Sequence, residues 1–202
     1  MQSTRNLQSY LLLLVMSLLL AGCGKTVQPK YYLLTPTTGD VVTSDLQQLS
    51  IFLGPVSLPK YLDRSQIVTR HGELQLDLAD SHRWAEPLQD NFSAVLAEDL
   101  RQRVHLARVI VFPARQEKDL DYRVTVNVIR FDTDDRGDAI LSADWSIQDE
   151  KSKLIITSKR GSYRYVISPA SGYTEIVNAL SNTIGQLGED IVDSIKTISQ
   201  SR

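Results

Sequence analysis

The hydrophobic pattern of the chain changes its period three times after an apolar leader. Up to residue 86 and again over residues 107–167, apolar side chains occur in short runs or at every second position, which is typical of β-strands. Over residues 87–103 and 173–199 they recur every three or four positions, which predicts two amphipathic helices. The predicted order is therefore four strands, a helix, a strand, three more strands and a closing helix.

The predicted strands differ in how they are delimited. Gly54 and Pro55 interrupt the second run and are expected to bend or end it. His71 and Gly72 separate the third and fourth runs and predict a hairpin turn, while the last three runs predict an antiparallel meander. The predicted strands cover residues 31–35, 49–58, 67–70, 73–78, 107–113, 121–132, 139–149 and 153–167.

Both predicted helices have one apolar face. Pro87 suits the first turn of the first helix, where its missing N–H costs nothing. The pattern predicts an α+β fold, a largely antiparallel sheet with the two amphipathic helices packed on one face. The apolar stripes are Leu88, Phe92, Val95, Leu96, Leu100 and Val104 in the first helix, and Ile176, Val177, Leu180, Ile184, Leu187, Ile191, Ile195 and Ile198 in the second.

The amino-terminal segment has the layout of an export signal. Residues 10–21 form an uncharged apolar run of 12 residues. A membrane-spanning helix needs roughly 20 residues, so the run has the length of a signal-peptide core instead. It ends in Leu20-Ala21-Gly22-Cys23, which resembles the lipobox of bacterial lipoproteins. The alternative is an ordinary secretory leader in which the cysteine is incidental.

The lipobox resemblance implies a specific modification of Cys23. Cleavage between Gly22 and Cys23 would be accompanied by a diacylglycerol on the sulfur and an acyl chain on the new amino group. No other cofactor is expected. Two or more acyl chains are needed for stable anchoring, because a single chain binds membranes only marginally. Gly24 stands where an aspartate would favour inner-membrane retention in enteric bacteria, so we expect an outer-membrane anchor with the domain in the periplasm.

These features divide the chain into three parts. Residues 1–22 are predicted to be a lipoprotein signal peptide, residues 23–30 a lipidated tether, and residues 31–202 a single α+β periplasmic domain. Cys23 is the only cysteine in the sequence, so an intramolecular disulfide is excluded. The sequence contains 22 basic and 24 acidic side chains, and loss of Arg5 with the signal peptide leaves a net charge near −3. That balance argues against nucleic acid as a partner.

The sequence offers no catalytic or metal-binding constellation. His71, His82 and His105 share no ligand spacing with one another or with a carboxylate pair. Residues 132–138 begin like a calcium loop, but position 12 would be Ala143 instead of a bidentate glutamate, and a hairpin turn is the better interpretation. No nucleophile, base and oxyanion site can be assembled, so we expect a protein that is not an enzyme.

Three segments behind the lipobox resemble one protein family. They are YYLLTP from Tyr31, GPVSLPKYLDRSQIVTR from Gly54, and RWAEPLQDNFSAVLAEDL from Arg83. Their order and spacing are similar to those of the PqiC/YmbA family of ABC-type transport auxiliary lipoproteins (DUF330-like). The resemblance extends over nearly the whole mature chain. It implies an outer-membrane lipoprotein that acts as an auxiliary adaptor and couples an MCE-type transport protein to the outer membrane. Its partners would be that MCE-type protein and its inner-membrane component, and together they would move lipid between the membranes and support envelope integrity.

Two other functions remain open at this point. The domain could be a periplasmic carrier that binds acyl chains itself, although a carrier usually needs a concave apolar interior. It could also be a structural envelope lipoprotein. A homo-oligomer is a further expectation, since an adaptor to a ring-shaped partner can itself be ring-shaped.

The segment after the second strand is the predicted partner or oligomer surface. Two prolines keep it out of a regular strand, and aromatic and arginine side chains are the types that dominate interface energetics. For Tyr61 and Leu62 the alternative is a purely structural role, and Trp84 could instead pack under the loop as core. The candidate surface residues are Leu58, Pro59, Tyr61, Leu62, Arg64 and Trp84.

Overall fold

The computed structural model describes residues 28–37, 49–104, 108–114, 119–168 and 172–200. In this part of the chain eight strands form two sheets instead of the one predicted, and two helices pack on the larger sheet. The predicted α+β class and element order are confirmed. The strands are β1 (Lys30–Tyr32), β2 (Ser50–Ser57), β3 (Gln66–His71), β4 (Gln75–Trp84), β5 (Arg108–Val111), β6 (Tyr122–Thr133), β7 (Ala139–Asp149) and β8 (Ile155–Tyr165), and the helices are α1 (Leu88–Val104) and α2 (Tyr173–Gln200).

The larger sheet has the strand order β5-β2-β6-β7-β8. Its β6–β7–β8 half is the predicted antiparallel meander. Its other half is parallel, because β2 pairs in parallel with both β5 and β6. The chain leaves β2 through β3, β4 and α1 before it returns as β5, and such a long crossover is what parallel pairing requires.

Strand β2 bends at Gly54-Pro55 without ending. The pairing of β2 with β6 shifts register between Leu53 and Val56, and Gly54 adopts a φ of 126°. A Cβ at this glycine would lie 2.6 Å from the Cβ of Phe112, so both its conformation and its surroundings require glycine.

The smaller sheet has the order β1-β4-β3. The predicted hairpin is confirmed as β3 and β4, although His71 is the last residue of β3 and only the turn beyond it contains Gly72, with a φ of 66°. Strand β4 also extends to Trp84, further than the predicted strand ending at residue 78. Strand β1 pairs with β4 in parallel, with Lys30 opposite His82 and Tyr32 opposite Trp84.

Both helices cover the same face of the larger sheet. Helix α1 packs on β2 and β5, α2 packs on β6, β7 and β8, and the helices also pack on each other. The predicted apolar stripes are buried, apart from the partly exposed Ile176 and from Val104, whose side chain lies outside the described part of the structure. The sheet contributes alternate side chains to this core: Ile51, Leu53, Tyr122, Val124, Val126, Val128, Leu141, Ala143, Trp145 and Ile147.

Candidate functional site

The predicted partner loop folds back on the domain. Pro59 precedes a 3-10 turn over Lys60–Leu62, closed by a 2.9 Å hydrogen bond from the Leu62 N–H to the Pro59 carbonyl. The turn places Leu62 in the core at 3% exposure. For Leu62 the structure therefore supports the structural role, whereas Tyr61 is only partly buried. Leu58 and Pro59 are partly exposed, and Arg64 is exposed, so these residues remain candidates for a partner contact.

Trp84 lies in the core at 5% exposure. Its backbone N–H donates to the Ser65 carbonyl at 2.7 Å, which ties the end of β4 to the segment after the loop. Of the two interpretations of Trp84, packing beneath the loop is the one that the structure supports. Its indole cannot contact a partner without local unfolding.

A buried carboxylate holds Tyr61 in place. Asp132, fully buried at the end of β6, accepts a 3.1 Å hydrogen bond from the Tyr61 hydroxyl. It also accepts hydrogen bonds from Arg70 at 2.8 Å and from Arg130 at 2.6 Å. Burial, together with the charge of Asp132, raises the pKa of the Tyr61 hydroxyl. This Asp132 cluster (Tyr61, Arg70, Arg130 and Asp132) fastens the loop and the smaller sheet to the larger sheet.

The loop forms one wall of a surface groove beside α1. One cavity of about 250 Å³ is lined by Leu58, Lys60 and Asp63 together with the start of α1. A second cavity of about 270 Å³ lies between α1 and the end of β5, where Phe112 is about half exposed. Gln89 lines both cavities, so they lie next to each other, and together they are called the groove beside α1. The groove is large enough for a side chain or a short peptide segment.

The second notable region is the N-terminal strap, residues 30–37, which follows the predicted tether. After β1 the strap lies along both helices. The Leu34 N–H donates to Asn91 of α1 at 2.7 Å, and the Thr35 N–H donates to Ser181 of α2 at 3.2 Å. Leu34 itself is buried at 3% exposure. The part of the described chain nearest the predicted anchor is thus bonded to both helices.

The strap is fixed at its far end by Asp99. This carboxylate is fully buried and accepts a 2.8 Å hydrogen bond from the Thr37 N–H through one oxygen, while its other oxygen is buried without a partner. Burial raises the pKa of Asp99 to about 6, against the opposing effects of the Thr37 hydrogen bonds and the Arg103 charge. Asp99 is thus a titratable link between the strap and α1.

Small residues on α2 make room for this contact. A Cβ at Gly185 would collide with the Thr37 hydroxyl, whereas a Cβ at Gly188 would meet Leu96 and Asp99 at an ordinary 3.6 Å. The glycine at 185 therefore allows the strap to approach α2 closely.

No pattern in the sequence indicates the Asp132 cluster or the contacts of the strap. Asp132 bonds to side chains 62 and 71 positions away, and Thr37 to a carboxylate 62 positions away. Such pairs leave no periodic pattern in a single chain. The neighbouring carboxylates Glu98 and Asp99 are typical of a solvated helix face, so the pattern of α1 did not indicate that Asp99 is buried.

The remaining sequence predictions concern the lipidation site, the histidines, metal binding and membrane-spanning helices. The lipidation and cleavage predictions for Cys23 and Gly22 fall outside the described residues, as does His105. His71 is exposed at the end of β3, and His82 accepts or donates a 2.8 Å hydrogen bond with the Tyr32 hydroxyl. Within the described ranges, no group of three His, Cys, Asp or Glu side chains could hold a metal ion. None of the helices in these ranges has the length and hydropathy needed to cross a membrane.

Comparison with known proteins gives a consistent result. The family model for the ABC-type transport auxiliary lipoprotein component matches residues 31–192. The intermembrane transport lipoprotein PqiC of Escherichia coli (strain K12) is 24% identical over 189 residues, which cover 93% of this chain and 97% of PqiC. The PqiC of Shigella flexneri matches with the same identity and coverage.

Solved structures share the fold. The crystal structure of an uncharacterized protein superposes with a TM-score of 0.68 at 21% identity, covering 84% of this chain and 99% of that one. A Xanthomonas campestris protein of the DUF330 family superposes with a TM-score of 0.65 at 16% identity, covering 85% of this chain and 98% of the other. At these identities the likeness concerns the fold alone.

Proposed function

The chain belongs to the family of ABC-type transport auxiliary lipoprotein components, and we propose that it is an outer-membrane-anchored periplasmic adaptor of an MCE-type intermembrane lipid transport system. The family match over residues 31–192 carries this proposal, because it spans nearly the whole folded domain. The family consists of transport components rather than enzymes. The curated relative of similar length is named as an intermembrane transport lipoprotein.

The lipobox and the N-terminal strap support the anchoring half of the proposal. Cys23 stands seven residues before β1, so an acylated Cys23 would be joined to the domain by a short tether. The tether enters a strap that is hydrogen-bonded to both helices. The position of the domain relative to the membrane would then be set by the fold itself, as an adaptor requires.

The groove beside α1 supports the partner half of the proposal. It combines apolar side chains with polar ones at its rim, the composition that protein interfaces favour. Its two cavities are each below the usual 300–1,000 Å³ of small-molecule sites. The inner face of the larger sheet is covered by both helices. These two facts favour an adaptor over a carrier that encloses acyl chains.

The anchor is tested by changing Cys23→Ala in the full-length chain. We expect loss of acylation, with the protein either unprocessed or released from the membrane. Mass spectrometry of the mature amino terminus is the measurement. An unmodified Cys23 in the wild-type protein, or cleavage at another position, would contradict a lipoprotein anchor.

The partner surface is tested by a matched pair of substitutions on α1. Gln89→Arg fills the groove with a long charged side chain, whereas Gln102→Arg places the same side chain elsewhere on the exposed surface of that helix. Co-purification of the MCE-type protein from detergent-solubilised envelopes should fall with Gln89→Arg only. Equal recovery with both variants, each shown to be folded by circular dichroism, would place the partner on another surface.

A further inference from the structure

The tip of the β3–β4 hairpin presents an unusually exposed leucine. Leu74 is 98% exposed, and Leu78 on the same hairpin is 42% exposed. The hairpin extends beyond the core, and its turn is held through the Gly72 N–H, which donates to Asp135 in the β6–β7 turn. The leucine thus stands at the end of the domain where β6 turns into β7.

The predicted tether leaves the domain in the direction of this tip. Strand β1 runs parallel to β4, with Lys30 opposite His82, so the chain before Lys30 departs toward the start of β4. Leu74 is eight residues before His82, a distance of about 26 Å at most along a strand. Cys23 is seven residues before Lys30, and an extended tether of that length reaches about 25 Å. The reach of the tether therefore matches the position of the tip.

We propose that the β3–β4 tip inserts Leu74 into the interfacial layer of the membrane that holds the acylated Cys23. This inference rests on the anchoring proposed above. An apolar side chain gains by leaving water, and a tether of this length keeps the tip within reach of the bilayer. Glu73 is adjacent to Leu74, and Asp135 lies beneath the turn, so their carboxylates limit insertion to a shallow depth.

Insertion of the tip gives the domain one orientation on the membrane. Leu154, at the β7–β8 turn, lies at the other end of β7 and is 67% exposed. With Leu74 in the membrane, Leu154 points away from the bilayer. The two leucines therefore serve as a matched pair. Both are exposed residues of a hairpin turn; Leu74 lies beside the β6–β7 end of the larger sheet, and Leu154 lies at the opposite end of that sheet.

The experiment uses full-length acylated protein with one new thiol. Acylation blocks Cys23, the only native cysteine, so Leu74→Cys or Leu154→Cys supplies a unique site for an environment-sensitive nitrobenzoxadiazole label. Each labelled protein is reconstituted in vesicles of phosphatidylethanolamine and phosphatidylglycerol. Quenching is measured with iodide in the water and, separately, with spin-labelled lipid in the bilayer. Flotation of the vesicles and mass spectrometry report the anchoring independently.

The expected result is that the label at position 74 loses most of its iodide quenching and is quenched by spin-labelled lipid. The label at position 154 should remain open to iodide. If both labels stay open to iodide on protein that floats with the vesicles, anchoring holds and the insertion of Leu74 is overturned. Protection of position 74 only in the co-purified complex would make the tip a protein contact and also overturn it. Protein that does not float refutes the anchoring and the insertion together.

Discussion

The Asp132 cluster gives the sharpest stability prediction. Asp132→Asn removes the negative charge while preserving the shape of a fully buried side chain. Each of the two carboxylate oxygens accepts a hydrogen bond from an arginine. In asparagine one of them is replaced by an NH2 group, which can only donate, so two donors would face each other at Arg70 or Arg130. Both guanidinium groups then lose their carboxylate partner inside the fold.

The magnitude follows from the burial of the partners. Removing one partner of a fully buried ion pair costs about 3–5 kcal/mol. The Arg70 and Arg130 side chains are 18% and 26% exposed, so water replaces part of the lost interaction. We therefore expect Asp132→Asn to lower the free energy of unfolding by about 2–4 kcal/mol. The melting temperature of a domain of this size falls about 2–4 °C per kcal/mol.

A surface ion pair on the same sheet supplies the control. Asp144 on β7 pairs with Arg160 on β8 at 2.6 Å, but the two side chains are 42% and 71% exposed. Asp144→Asn is the same chemical change at an exposed pair, and such pairs contribute little to stability. Urea unfolding of both variants, followed by circular dichroism, is the assay. Equal destabilisation by the two changes would refute the assignment of Asp132 as the fastening between the sheets.

Three further predictions concern α2 and the strap. Ile184→Ala, at a fully buried position, should lower the free energy of unfolding by about 2–5 kcal/mol in urea, and no change would contradict its place in the core. Gly185→Ala should be less stable than its control Gly188→Ala by about 1–2 kcal/mol in thermal melts, because only the first substitution displaces Thr37. Equal stability of the two variants would contradict the close contact between Gly185 and Thr37. The pKa of Asp99 is raised to about 6 in the folded protein, so its contribution to stability is lost as the pH rises through that value. In urea unfolding, Asp99→Asn should therefore gain stability relative to wild type as the pH rises from about 5 to about 7.5. A difference in the free energy of unfolding that stays the same over this range would contradict the raised pKa of Asp99.

The periodic features of the sequence were enough to predict the elements. In α2, from Val177 to Ile198, and in β6 and β7 one regular face is buried. Apolar residues therefore recur in the sequence with the period of the helix or the strand. The parallel pairing of β2 could not be predicted in the same way. A strand buried on both faces carries no alternation, and the pairing direction is decided by where the crossover returns.

The candidate surface shows the limit of local reasoning. Leu62 stands between charged residues in PKYLDR and has no periodic partner, so its local sequence indicates a loop. It is nevertheless part of the hydrophobic core, together with Ile67 and Val68 of β3 and Trp84 of β4. Burial of an isolated apolar residue depends on tertiary contacts, which a local pattern does not contain.

The strap explains how a short tether could set the position of a whole domain. A pull on the chain before Lys30 acts along β1, which is paired in parallel with β4. Beyond β1 the load reaches α1 through Asn91 and α2 through Ser181, and these helices pack on opposite halves of the larger sheet. No single element can move with the tether alone, because each is bonded to the next. An anchor attached at this point would therefore limit how far the groove beside α1 can lie from the membrane, as the proposed adaptor role requires.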